Sequence, residues 1–292
     1  MELRVLKYFI EVAREENITA AANKLHLTQP TLSKQLMALE DELGKKLFIR
    51  GKRKISLTEE GVYLYNRAKE IVDLAEKTEA DLKSDDKIIE GSIAIGGGET
   101  SAVKYIAKAA NNLRLEYPKI KFDIFSGNGE DVTRWLDQGL VDFGLFVGST
   151  ELKKYDYIKL PESNTWGLLM KKDHPLAKNE FITPAMLKDI PLLCSRQTLF
   201  QNEMTGWLGV STDKLNIAAT YNLIFNASVM VEQGMGCALA IDGLINTGAD
   251  SALCFRPLKP SLKAEVVIAW KKYRFLSKAA SKFLQSLQNE IA

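Results

Sequence analysis

Residues 17–61 read NITAAANKLHLTQPTLSKQLMALEDELGKKLFIRGKRKISLTEEG. Thr19 is suited to cap a short helix over residues 20–25, because its hydroxyl can accept from the free N–H groups of a first turn. The alanines at 20–22 allow close approach of a neighbouring helix. His26 and Leu27 make a turn. Thr28 is a second N-cap, and Pro30 falls in the first turn, where a missing N–H costs little. Leu32, Leu36, Leu39 and Leu43 then recur at spacings of four, three and four, which is one apolar stripe on a helix. Pro30, Ser33, Lys34 and Met37 point away from that stripe, with Gln29 and Thr31 at its flanks. An exposed, polar first turn without acids suits contact with base edges and phosphates. Glu40, Asp41 and Glu42 come late in the helix and would lie clear of such a contact.

A basic hairpin follows. Leu47, Phe48 and Ile49 can clamp it on the helices. Arg50, Lys52, Arg53 and Lys54 surround Gly51, and Ile55 and Leu57 alternate as a return strand does. Taken alone, this segment fits a solvated basic turn as well as a phosphate-facing wing. Beside a helix-turn-helix the wing is the stronger reading, with Arg50, Arg53 and Lys54 on phosphates.

The segment resembles the N-terminal domain of the LysR-type transcriptional regulators. The resemblance rests on Ala21-Ala22, Leu25, Thr28-Gln29-Pro30, Ser33-Lys34-Gln35, Leu39-Glu40, Leu43-Gly44, Leu47-Phe48-Ile49-Arg50 and Leu57-Thr58-Glu59-Glu60-Gly61, in order and at the family's spacing. Lys34 stands where Arg is more usual. Lysine keeps the charge and loses the bidentate fork, which suits a phosphate better than a guanine.

Composition agrees with a globular chain. The 292 residues allow two or three domains, and 46% hydrophobic with 26% charged residues is ordinary for a soluble protein. Nothing approaches a membrane-spanning run. Met1 leads directly into an amphipathic helix (Leu3, Leu6, Phe9, Val12) with no leader-like segment, so the expected compartment is the cytoplasm. The net charge of +2 hides an asymmetry: residues 1–57 hold 11 Lys/Arg against 7 Asp/Glu, and the remainder holds 28 against 30. The nucleic-acid signal is therefore local. Cys194, Cys237 and Cys254 are widely spaced and are expected as buried free thiols, with no metal or disulfide framework.

Thr58 is an N-cap for a third segment, with Glu59 and Glu60 at the positive end of the helix dipole. Tyr65, Ala68, Val72, Ala75 and Leu82 follow at coiled-coil spacing, and no Pro or Gly occurs between Val62 and Glu90. This predicts a linker and dimerisation helix; a helix packed on its own domain fits the same spacing. The resemblance implies dimerisation through it and assembly as a homodimer or homotetramer. Residues 84–90 are expected to be a hinge.

From Gly91 strands and helices alternate: strands at 92–96, 121–126 and 142–147 with helices at 101–116 and 130–138 between them, a βαβαβ unit. A second series has strands at 166–170, 192–194, 216–220 and 236–241, a helix at 225–233, a late strand at 263–270 and a closing helix at 277–291. Two lobes joined by crossovers near Pro161 and Lys263 fit a hinged ligand-binding domain. The resemblance implies the same architecture, similar to periplasmic binding proteins, through Leu140-Val141-Asp142, Asp173-His174-Pro175-Leu176 and Val231-Glu232-Gln233-Gly234-Met235-Gly236. Ala240-Ile241-Asp242 stands where a Leu-Pro is common, which puts that edge of the cleft in question.

The expected fold is thus α/β: a winged helix-turn-helix at 1–58, a linker helix at 59–88 and an effector domain at 89–292. Lobe I takes about 91–161 and 266–292, and lobe II about 162–265. Ligands in such sheets bind beyond the carboxyl ends of strands. That rule selects Thr100, Ser101, Ser126, Asn128, Phe146, Gln197, Thr198 and Asn226 for a small metabolite. Thr100 and Ser101 at a helix start could cradle an anion, and plain N-capping explains them equally well. Arg196 could pair a carboxylate or stand on the surface. Gly96-Gly97-Gly98 lacks nucleotide-loop spacing. The two histidines lie near no evident nucleophile, and no HExxH or GxSxG occurs, so neither catalysis nor a cofactor is expected.

The reading is a transcription regulator that binds double-stranded promoter or operator DNA through Gln29, Pro30, Thr31, Ser33, Lys34, Met37, Arg50, Arg53 and Lys54. A metabolite between its lobes controls it, with RNA polymerase as a further candidate partner. The rivals are a solute-binding protein and a DNA-binding regulator whose lobes bind nothing.

Overall fold

The computed structural model describes residues 1–51, 54–83, 89–148, 151–197, 202–209 and 214–291. The chain divides into two compact units, Met1–Lys83 and Ser84–Ala292.

The first unit runs α1 (Leu3–Glu15), α2 (Ile18–Lys24), α3 (Gln29–Leu43), β1 (Phe48–Arg50), β2 (Ile55–Leu57) and α4 (Glu59–Lys83). Its core takes Leu6, Phe9 and Val12 from α1, Ala21 and Ala22 from α2, and Leu32, Leu36 and Leu39 from α3. Leu43, expected on the same stripe, is 39% exposed. It is the last helical residue, and Gly44 leaves the helix there with φ 64°. The cap of α2 is Asn17 rather than Thr19: the Asn17 Oδ1 accepts from the Thr19 and Ala20 N–H groups at 2.9 and 3.0 Å. The helix starts at Ile18, so Thr19 already lies within the first turn.

The hairpin is clamped by Leu47 and Phe48, both buried, with the Phe48 ring 5.1 Å from that of Phe9. Ile49 is 58% exposed, because neighbouring residues of a strand face opposite ways. At the start of α4, Thr58 Oγ1 accepts from Gly61 N–H at 2.9 Å. A Cβ on Gly61 would lie 2.1 Å from the Leu47 carbonyl oxygen, which explains the glycine that closes the Leu-Thr-x-x-Gly motif.

Helix α4 answers the question its spacing left open for part of its length. Ala68 and Val72 are buried in the core that α1 builds, with Leu64 and Tyr65 beside them. Lys7 on α1 also pairs with Glu76 at 2.6 Å. The spacing read as a seam for a second chain is here the face packed on α1. Val62, Tyr63, Ile71 and Leu74 are exposed instead. Of the expected hinge at 84–90, residues 84–88 lie outside the described residues.

The second unit contains β3 (Gly91–Gly97), α5 (Val103–Glu116), β4 (Ile120–Ser126), α6 (Gly129–Gln138), β5 (Phe143–Val147), β6 (Tyr155–Lys171), β7 (Leu192–Ser195), α7 (Asn202–Leu208), β8 (Ile217–Tyr221), α8 (Ile224–Glu232), β9 (Cys237–Ile241), β10 (Leu253–Pro257), β11 (Lys263–Lys271) and α9 (Lys278–Ile291). Strand order is β4-β3-β5-β11-β6-β9-β7-β8, with β10 on β6. β3 pairs in parallel with β4 and β5, and β7 with β8 and β9. In lobe I, β3 and β5 are buried on both faces of the sheet. Ile93, Ile95, Phe143 and Leu145 pack under Ile106, Phe283 and Leu287, while Ala94 and Phe146 pack under Val132 and Leu136.

The crossover near Pro161 is not a break. β6 runs continuously, pairing β11 over its first part and β9 and β10 over its second. Pro161 is absorbed where the β6–β11 register shifts between Glu265 and Val267, since an irregularity in the ladder tolerates a residue without an N–H. β10 and the first part of β6 escaped the sequence reading, and in β10 Leu253 and Cys254 are both buried, so no alternation marks it.

The family motifs of this unit are structural. Asp142 Oδ2 accepts from the Ala94 N–H at 2.9 Å and ties β5 to β3. His174 Nδ1 accepts from Leu176 N–H at 3.2 Å and caps a 3-10 turn. Gly236 has φ 148°, and a Cβ there would lie 2.3 Å from the Pro191 carbonyl oxygen. The edge that departs from the family pattern is ordered: Asp242 Oδ1 accepts from Thr165 N–H at 2.8 Å, and Asp242 N–H donates to Thr165 O at 2.9 Å.

Candidate DNA-binding face and ligand cleft

α3 is positioned by three local devices. The Thr28 hydroxyl accepts from Thr31 N–H at 3.4 Å and lies 2.8 Å from the Thr31 hydroxyl. His26 takes φ 55° in the turn, which bends α2 into α3. The third device was missed in the sequence. Glu40, expected only to lie clear of the DNA contact, is 3% exposed: its Oε1 accepts from Leu47 N–H at 2.8 Å and Phe48 N–H at 3.3 Å, and its Oε2 pairs with Lys46 at 3.0 Å. Burial alone would push this carboxyl upward. The Leu47 N–H, the Lys46 ammonium and the Phe48 N–H outweigh it and hold the group below the usual carboxylate range. Glu40 thus fastens the hairpin to the end of α3.

The outer face of α3 presents Gln29, Pro30, Thr31, Lys34 and Met37, all exposed, with Ser33 half-buried at its margin. Lys34 has no acidic partner among the described residues, so its charge is free for an external anion. On the hairpin, Lys54 pairs with Glu16, and Ile55 N–H donates to Glu16 O at 2.9 Å. The Glu16 carboxylate beside it raises the Lys54 ammonium above its ordinary value. Arg50 ends β1; its side chain, with Lys52 and Arg53, lies outside the described residues.

In the second unit the strand ends surround a cleft of about 90 Å³. Asn128, Phe146 and Gln197 line it as expected, together with Glu99, Trp166, Ser195, Tyr221 and Asn222. Two hydrogen bonds cross it. Glu99 Oε2 accepts from Ile224 N–H at 3.0 Å, at the start of α8, and Gln197 Oε1 accepts from Gly129 N–H at 3.1 Å, at the start of α6. Each lobe therefore puts a side chain on the first turn of a helix in the other. Tyr221 donates its hydroxyl to Leu239 O at 2.6 Å, and burial pushes its pKa up, so it faces the cleft as a neutral ring.

The remaining candidates lie elsewhere. Thr100 donates to Asn164 Oδ1 at 2.6 Å, and Ser101 donates to Glu162 Oε1 at 3.1 Å. Both hydroxyls thus bond to the crossover strand β6. Asn164, 1% exposed, also bonds Ser101 Oγ at 3.3 Å and Asp242 Oδ1 at 3.4 Å. Thr100 and Ser126 border a second, larger groove of about 680 Å³ along α5. Asn226 is exposed on α8 and Arg196 is exposed off the cleft wall. Thr198 lies outside the described residues. Trp166 was missed because it comes from a crossover strand; Glu99 and Asn222 follow strands and obeyed the strand-end rule, but no local signal ranked them above their neighbours.

Residues 3–62 match the family model described as "Bacterial regulatory helix-turn-helix protein, lysR family", and residues 88–292 match that of the "LysR substrate binding domain". The chain belongs to the LysR family of transcriptional regulators. This LysR-type protein is 28% identical to the Hca operon transcriptional activator HcaR of Escherichia coli (strain K12), over 100% of this chain and 99% of the relative. It is 35% identical to the HTH-type transcriptional regulator BsdA of Bacillus subtilis (strain 168), over 56% and 55%. The crystal structure of full-length CbnR complexed with target DNA shares the fold, with TM-score 0.74, 18% identity and coverage of 99% and 100%. The LysR-type regulator is a DNA-binding transcriptional regulator with an effector-binding domain of two α/β lobes. Among the described residues, no helix is long and apolar enough to cross a membrane.

Proposed function

We propose that α3 enters the major groove and reads bases with Gln29, Pro30, Thr31, Ser33 and Met37, while Lys34, Arg50, Arg53 and Lys54 hold phosphates. The observation that carries this is the outer face of α3: exposed, polar, free of acids over its first two turns and bearing an unpaired lysine. Replacing Thr31 and Ser33 together by Ala abolishes the preference for operator over scrambled DNA and leaves salt-dependent non-specific binding intact. Equal loss of both binding modes means that α3 is not the reader.

The wing and the three helices at 1–58 form the DNA-binding domain, 59–88 the linker, and 89–292 the effector domain. A small effector sits between the lobes against Asn128, Phe146 and Gln197. It shifts the protein because it favours one setting of the lobes over another. Thr100 and Ser101 act at the hinge beneath it. The regulator works in the cytoplasm as a homodimer or homotetramer, since a helix-turn-helix reads two half-sites as a pair. The exposed Val62, Tyr63, Ile71 and Leu74 on α4 support a second copy packing there. RNA polymerase is the further partner, and the chain catalyses no reaction.

A further inference from the structure

We infer that the cleft takes a small organic cation, an ammonium group received by Glu99, rather than a carboxylate. This rests on the cleft being the effector site. Three observations carry it. First, among the described residues the wall holds no Lys, Arg or His and the Glu99 carboxylate is its charged group; Glu99 has no ion-pair partner among them either. Second, part of the N–H complement of the two helix starts at the cleft already goes to the protein's own oxygens. Gln197 takes Gly129 N–H and Asn128 takes Asp131 N–H at 3.0 Å on α6; Glu99 takes Ile224 N–H on α8, while Asn222 takes the preceding Leu223 N–H at 3.0 Å. Third, Phe146, Trp166 and Tyr221 put aromatic side chains on the wall of the same cleft.

The charge balance follows. The start of α8 contributes roughly half a positive charge, which leaves the carboxylate undercompensated in a partly desolvated cleft. An incoming carboxylate would meet that charge with no cation among the described lining residues to receive it. An ammonium would pair with the carboxylate, which keeps acceptor sites beyond the one bond to Ile224, and an aromatic lining suits a cation. The cavity is about 90 Å³, below the roughly 150 Å³ that holds benzene, so the ligand is compact.

The test uses full-length protein, thermal shift and titration calorimetry with n-propyl-, isobutyl- and 1,4-butanediammonium against the equally sized isobutyrate. The amines are expected to raise Tm and isobutyrate to leave it unchanged. Glu99→Gln is expected to weaken amine binding about tenfold, the size of a charge-assisted hydrogen bond, and Glu99→Asp to retain most of it. No shift from any amine up to about 50 mM, far above a millimolar Kd, overturns the inference. Isobutyrate binding that is lost in Ser195→Phe overturns the cation and keeps the cleft. Binding of either probe that is indifferent to Glu99→Gln, Gln197→Ala and Ser195→Phe places the site elsewhere and overturns the cleft reading itself.

Discussion

Glu40 does more for the DNA-binding unit than its position near a helix end suggests. It satisfies two backbone N–H groups of the hairpin from a buried carboxylate. Glu40→Ala strands those donors and should destabilise the unit by about 2 kcal/mol, measured by urea unfolding of the full chain. The folded-state pKa lies below the ordinary 4.5, so its contribution is present above pH 4.5 and is lost as pH falls through the folded value. Wild type should therefore lose stability over that acid window, and Glu40→Gln should lose less of it. The cysteines give a second residue-scale test. Burial pushes Cys194 up to about 12 and Cys237 up to about 11, and raises Cys254. All three are buried and free. The folded protein should be inert toward an aromatic disulfide reagent at pH 8, and three thiols should react once it is unfolded; rapid native reaction would contradict the burial.

At the scale of elements, α4 makes a separable prediction. Its inner face, with Ala68 and Val72, belongs to the core of its own unit, and its outer face carries Ile71 and Leu74. Ile71→Glu with Leu74→Glu should keep the far-ultraviolet spectrum and shift sedimentation toward the monomer. A double variant that sediments as wild type removes this face from the assembly. The same helix shows what the sequence could reveal. Cap, dipole and length were legible, because Thr58, Glu59 and Glu60 act within one turn. The partner of the apolar stripe was not, because a period of three and four is the same for an intrachain neighbour and for a second chain. The helix-turn-helix was legible for the same local reasons: Thr28, Pro30 and the Leu32-Leu36-Leu39 stripe. Leu43 was misjudged where its helix ends and the period of the stripe stops mattering, and Ile49 where strand alternation turns it outward beside the buried Phe48.

For the whole molecule, what escaped the sequence is what long separations create. Glu99 meets Ile224 across 125 positions and Gln197 meets Gly129 across 68, so their partners are set by topology and no spacing announces them. The strand-end rule still found Asn128, Phe146 and Gln197 on the cleft wall, because a parallel sheet gathers its carboxyl ends at one edge. It also selected Thr100 and Ser101, whose hydroxyls bond to the crossover strand. The two units then divide the work, with the DNA-binding domain in the first and the effector-binding domain in the second. The most direct test of that account is fluorescence anisotropy of the full-length protein on the DNA upstream of its own gene, against a scrambled duplex, across a salt series. Tight binding to the first DNA, with a steep decline in affinity as salt rises, is the predicted result. Equal, weak binding to both duplexes with a flat salt response would contradict it.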